Sequence, residues 1–144
     1  MTRAWLIAVA LVGLAGCDPG IGASGTVTVD DVVAARWPNH TVHVFLGEKE
    51  TSGEWHVWVD LGQGPVEARR IDFRDGAIGC TRAPAQVVAW IPAHGGGGIE
   101  KHREVRIAPG DPFVASAPLP FERGLLRRCY AGQANDVQLT LRAP

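Results

Sequence analysis

NHTVHVFLGEKETSGEWHVWVDLG, residues 39–62, holds two runs in which apolar side chains recur at every second position. In the first, Val42, Val44 and Leu46 alternate with His43 and Phe45; in the second, Trp55, Val57, Val59 and Leu61 alternate with His56, Trp58 and Asp60. A period of two marks a strand with one buried face, because successive side chains point to opposite sides of the pleat. The rhythm extends outward to Val27 and Val29, to Val87, Ala89 and Ile91, to Val105 and Ile107, and to Val137, Leu139 and Leu141. Turn formers punctuate it at Pro38-Asn39, Gly47, Gly62 to Pro65, Asp75-Gly76, Pro92, Pro109-Gly110 and Pro118 to Pro120. No segment carries a sustained helical repeat. About seven short strands spaced in this way predict an all-β domain, a single antiparallel β-sandwich, with a barrel as the alternative.

One run changes phase. In VEARRIDFRDG, residues 66–76, Val66 and Ala68 share one face while Ile71 and Phe73 share the other. A bulge near Arg69 and Arg70 would turn both pairs inward.

The N-terminus is of another kind. From Ala4 to Gly16 every residue is apolar or small, which amounts to about 13 residues and roughly 20 Å of helix, short of the ~30 Å hydrocarbon core of a bilayer. Arg3 precedes this run and the small residues Ala15 and Gly16 end it, the layout of a cleavable secretory signal. Leu14-Ala15-Gly16-Cys17 resembles the lipobox of bacterial lipoproteins. The resemblance implies cleavage before Cys17, diacylglycerylation of its thiol, and a mature protein held to the membrane by two or three acyl chains, enough for stable anchoring. Residues 1–16 are then the signal, 17–25 a lipidated cysteine with a flexible tether, and 26–144 the sandwich. GIGASG, residues 20–25, matches the dinucleotide fingerprint GxGxxG, but no strand precedes it and no helix pattern follows, so it is assigned to the tether.

An envelope location also explains the remaining cysteines. With Cys17 acylated, Cys80 and Cys129 are an even pair in an oxidising compartment, and a disulfide between them is expected. Neither sits in a CxxC or CxxH frame, so zinc through sulfur is poorly supported. Fourteen basic against fifteen acidic residues, net charge −1, leave no electrostatic footprint for nucleic acid. The Arg69-Arg70 pair and the Arg123, Arg127, Arg128 group are assigned to solvated faces. GTVTV at the start of the domain, then NHTVHVFL, REVRIAPGD and the closing VQLTL, resemble the carboxypeptidase regulatory-like and transthyretin-like β-sandwiches of secreted bacterial proteins. That resemblance implies a non-catalytic sandwich that binds or spaces.

Catalytic frames are incomplete. HGGGG, residues 94–98, resembles the oxyanion loop of esterases, yet the three serines lie in GASGT, ETSGE and VASAP, none of them a GxSxG elbow. His40 and His43 fall on opposite faces of a strand and cannot chelate together. If residues 41–46 and 54–61 form a hairpin, matching apolar faces calls for an odd residue sum, and the register 46 with 55 sets His43 opposite Trp58 and Phe45 opposite His56. The expected binding surface is this stripe of His43, Phe45, His56 and Trp58. The leading function is therefore a lipid-anchored, non-catalytic envelope domain, without cofactor, whose partner is an envelope protein or a glycan. The alternative is a small metal-binding or hydrolytic lipoprotein using His43, His56, His94 or His102.

Overall fold

In the computed structural model, which describes residues 20–95, 98–123 and 129–144, the first strand is β1 (Gly20–Val29). A short helix α1 (Asp31–Arg36) follows, then β2 (Thr41–Lys49) and β3 (Trp55–Pro65). A 3₁₀ turn (Val66–Ala68) leads into β4 (Arg70–Ile78), and β5 (Gln86–Trp90) comes next. Three brief strands, β6 (Glu104–Val105), β7 (Phe113–Ala115) and β8 (Glu122–Arg123), precede the closing β9 (Tyr130–Leu141). They form two sheets, β4-β1-β9-β8 and β6-β3-β2-β5-β7. The domain is an all-β sandwich.

The sandwich is not purely antiparallel. β1 pairs with β4 antiparallel but with β9 parallel, so the first and last strands lie side by side at the centre of their sheet. Val27, Val29, Leu139 and Leu141 share the main core with Val42, Val44, Leu46, Val87 and Ala89 of the other sheet. Helix α1 caps one end: Asp30 Oδ1 accepts from the Val33 amide at 2.8 Å and Val33 is fully buried. Six residues are too few to display a helical repeat, which is why DVVAAR carries no helical signal in the sequence.

Residues 20–25 are the second difference. They belong to β1, not to a tether, and Gly22 faces Gly76 on β4 and Gln133 on β9. A Cβ on Gly25 would run into the Val137 backbone, at the irregularity where β1 and β9 slip register between Ala23 and Gly25. The small residues of GIGASG thus serve close approach of three strands rather than flexibility. The remainder of the expected tether, residues 17–19, lies outside the described residues.

The phase change after β3 is resolved by a turn. The chain leaves β3 through the 3₁₀ turn, Arg69 adopts the left-handed conformation (φ 63°), and β4 starts afresh at Arg70. Val66, Ile71 and Phe73 are buried as expected, while Ala68 remains exposed.

The register of β2 with β3 differs from 46 with 55. Leu46 faces Val59 and Lys49 faces Trp55, with irregularities between Val44 and Phe45 and between Leu46 and Gly47. Each irregularity leaves an extra residue on β3, Leu61 in one and Trp58 in the other. An extra residue reverses the inward face beyond it. Val59 and Leu61 therefore enter the main core, whereas Trp55 and Val57 turn to the opposite side of the sheet. There they join Phe45, Val88, Trp90 and Val105 in a second apolar layer, flanked by Ile99 and Ile107. The chain at His102 and Arg103 runs beside β3 and extends its pairing with β6 by two backbone bonds to Val57, His102 N to Val57 O at 2.7 Å and Val57 N to Arg103 O at 2.8 Å.

Cys80 and Cys129 form the expected disulfide, with Cα atoms 5.5 Å apart. It joins the chain leaving β4 to the start of β9.

Candidate functional site

The bulges that split β3 also divide the expected stripe. Phe45 is completely buried in the second layer, its ring edge-on to Trp55 at 6.3 Å, and faces Asp60 rather than His56. His43 faces Gln63 on one side and Trp90 on the other, half-buried, with its ring 6.4 Å from the Trp90 ring. Burial pushes the His43 imidazole below its ordinary pKa, and the Asp60 carboxylate only partly opposes this. His56 and Trp58 stay together, ring centroids 4.7 Å apart, but at a different corner of the sheet. Cys17 lies outside the described residues.

The His56 corner is assembled by three neighbouring strands. In the register of the sheet, His56 on β3 stands between Glu48 on β2 and Glu104 on β6. Cross-strand neighbours share a face, so three ionisable side chains meet where the apolar alternation of β2 and β3 stops. His56 is 9% exposed, and its Nδ1 lies 3.1 Å from Glu104 Oε1. A carboxylate can only accept, so Nδ1 carries the proton. That hydrogen bond holds the Glu104 carboxyl below the usual range. Glu48 is buried too, with Oε2 accepting from the Ala83 amide at 3.2 Å. Arg82 spans Glu48 and Glu50, at 3.9 Å and 3.7 Å.

Aromatic rings close one side of the corner. Trp58 stands edge-on to both His56 and His102, the latter at 5.7 Å, and His102 reaches this place through a left-handed backbone conformation (φ 63°). The Trp58 indole N–H is buried without an acceptor, the sole such side-chain atom among the described residues. One ligand atom each from Glu50, His56 and Glu104 lies within 4.8 Å of the others. Neither glutamate stands out in the sequence, since an acidic residue at a strand end reads as a solvated position. Only the paired register reveals their convergence on His56.

His94 belongs to a separate arrangement at the opposite end of the sandwich. Its Nδ1 donates to Asp111 Oδ1 at 2.6 Å. Asp111 is almost wholly buried and also accepts from Trp90 Nε1 at 3.0 Å, from the Ala108 amide at 3.2 Å and from the His94 amide at 3.2 Å. Burial alone would raise the Asp111 pKa, but these donors outweigh it and hold the carboxyl below its ordinary value. Gly110 makes room for the imidazole, at φ 89° and with a hypothetical Cβ 3.3 Å from His94 Cε1. The geometry is a His–Asp dyad, and the serine hydroxyls among the described residues bond other partners. Ser24 Oγ bonds Asn135, Ser52 Oγ accepts from the Glu54 amide, and Ser116 Oγ is shared by Val87 and Ala117.

The fold and this geometry stand on their own, since comparison with protein-family models, curated proteins and solved structures finds no match.

Proposed function

We propose that the protein is a lipid-anchored, non-catalytic domain of the bacterial cell envelope, a binding module held close against the membrane. The observation that carries this reading is the sequence Leu14-Ala15-Gly16-Cys17 at the end of an apolar run, set a short reach from β1. If Cys17 bears the acyl chains, only residues 18 and 19 separate it from Gly20, and three peptide steps reach about 10 Å. The end of the sandwich that holds Gly20 would therefore rest at the lipid headgroups. Ile78, 83% exposed, is the β4 residue paired with Gly20. An apolar side chain of this size beside the anchor suits an interface better than open water.

The His56, Trp58 and His102 corner supplies the best recognition surface for an envelope protein or glycan. Arg82, which reaches its glutamates, follows Ile78 by a few residues along the chain. Of the alternative, a small metal-binding or hydrolytic lipoprotein using His43, His56, His94 or His102, the hydrolytic form built on His94 has less support, because the serine hydroxyls bond Asn135, Glu54, Val87 and Ala117 instead.

Cys17→Ser tests the anchor, since serine offers no thiol for the lipid. The wild-type protein should fractionate with membranes, and mass spectrometry should show an N-terminal Cys17 carrying diacylglycerol. The variant should remain unprocessed or leave the lipid-modified fraction entirely. An unmodified mature N-terminus at any other residue would refute the reading.

A further inference from the structure

We infer that the corner formed by Glu50, His56 and Glu104 is a binding site for a divalent transition-metal cation of the zinc class. This inference does not depend on the anchor, because every residue it uses lies in the folded domain.

The donor chemistry is suitable. Two carboxylates and one imidazole form a mixed oxygen and nitrogen set that zinc accepts, and three protein ligands leave a position for water or a further ligand. The three ligand atoms already lie within 4.8 Å of one another. Bonds of about 2.0–2.2 Å to one metal require them to close further. The adjustment falls on the glutamates: Glu104 is half exposed and Glu50 about one-third exposed in their side chains, whereas His56 is fixed by its burial. Each ligand comes from a different strand or from just beyond one, so the backbone positions are set by sheet hydrogen bonds and not by a free loop.

Electrostatics favour a cation here. Glu48, Glu50 and Glu104 bring three carboxylates to the corner against one guanidinium, that of Arg82. Arg82 is mostly exposed and at 3.7 Å from Glu50, so it can turn into solvent as a metal enters. Binding through Nδ1 would move the imidazole proton to Nε2, and the His56–Glu104 hydrogen bond would be exchanged for two metal bonds.

The ring beside His56 carries an unpaired donor. The Trp58 indole N–H is buried and lacks an acceptor, although its ring packs against His56. An unsatisfied buried donor is costly. His43 and His94 stand elsewhere, beside Trp90 and Asp111, which makes them internal controls.

The experiment is a titration of the purified protein, in whichever processed form it is isolated and without an affinity tag, with zinc ions, followed by calorimetry and by metal analysis after dialysis. The expected result is saturable binding of one zinc per chain, with a rise in melting temperature of several degrees at saturation. His56→Gln and Glu104→Gln should each weaken binding at least ~10-fold. His94→Gln should leave it unchanged, and equal concentrations of magnesium or calcium should not compete, because they favour all-oxygen sites. Glu104 is exposed, so Glu104→Gln keeps the test valid even if His56→Gln fails to fold. Absence of saturable zinc binding, binding that survives Glu104→Gln undiminished, or binding lost in His94→Gln would overturn the assignment.

Discussion

Asp111→Ala is expected to destabilise the domain by roughly 3 to 5 kcal/mol, the range for stripping one partner from a buried charged network. The Asp111 carboxylate satisfies the Trp90 indole N–H, the Ala108 amide, the His94 amide and the His94 ring N–H. Alanine leaves the buried donors among them without acceptors, each costing about 1–3 kcal/mol. Trp90 is 1% exposed and belongs to the second apolar layer, so loss of its partner is felt in packing as well as polarity. Asp111→Asn should cost less, since the amide oxygen still accepts. Chemical denaturation of the wild type and the two variants orders the effects, and equal stability for wild type and Asp111→Ala would show that the network contributes nothing.

The same residue sets an acid limit. The Asp111 pKa is depressed in the fold, so its contribution is fully present above the ordinary value near 3.9 and is lost as pH falls through the folded-state value. Stability of the wild type should therefore drop below about pH 4, and Asp111→Asn should flatten part of that drop. A residual slope is expected from Glu67, Asp72 and Glu104. Their carboxyls are lowered by the Asn39 amide, by the Thr26 hydroxyl and Arg70, and by His56 respectively.

Strand alternation was enough to place the sheets because burial on one face forces a period of two. Val42, Val44 and Leu46, Val87, Ala89 and Ile91, and Leu139 and Leu141 all point into the main core as that period requires. Two kinds of feature escaped it. β3 reads as one uninterrupted alternation from Trp55 to Leu61, yet bulges at Trp58 and Leu61 send its two halves to opposite layers. A bulge inserts a residue without changing residue type, so only the partner strand exposes it. GIGASG reads as a linker because linkers and crowded central strands both favour small residues, and composition alone does not separate the two.

Site residues were legible only where chemistry is local. The disulfide follows from counting cysteines in a chain whose N-terminus reads as an export signal. His56 and Trp58 were marked as neighbours because they are two apart on one strand, which holds at any register. Joining them to His43 and Phe45 required the pairing of β2 with β3, and a shift of a few residues in that pairing dissolved the stripe. Glu50 and Glu104 are 54 residues apart in the chain. Their meeting depends on β6, a two-residue strand with no periodicity to read.

Removing the disulfide, by a Cys80→Ala and Cys129→Ala double variant or by reduction, should lower the melting temperature by roughly 12 to 24 °C. The separation of 49 residues corresponds to about 4 kcal/mol of loop-closure entropy taken from the unfolded chain, and each ~1 kcal/mol moves a domain of this size by about 3 to 6 °C. The folded state should change little, because Thr81 and Tyr130, next to the two cysteines, already exchange backbone hydrogen bonds at 2.8 Å in both directions. Those bonds keep the β4 exit against β9 without the covalent link. The loss is thus expected in overall stability, with near-ultraviolet dichroism and zinc affinity retained below the transition. The sensitive local reporter is amide exchange at Thr81 and Tyr130. Without the link, the start of β9 can open on its own, so both amides should exchange faster than Val27 and Leu139 at the sheet centre. A melting temperature within about 2 °C of wild type would mean that the unfolded chain is already held compact over this loop, and that its entropy is not what the bond removes.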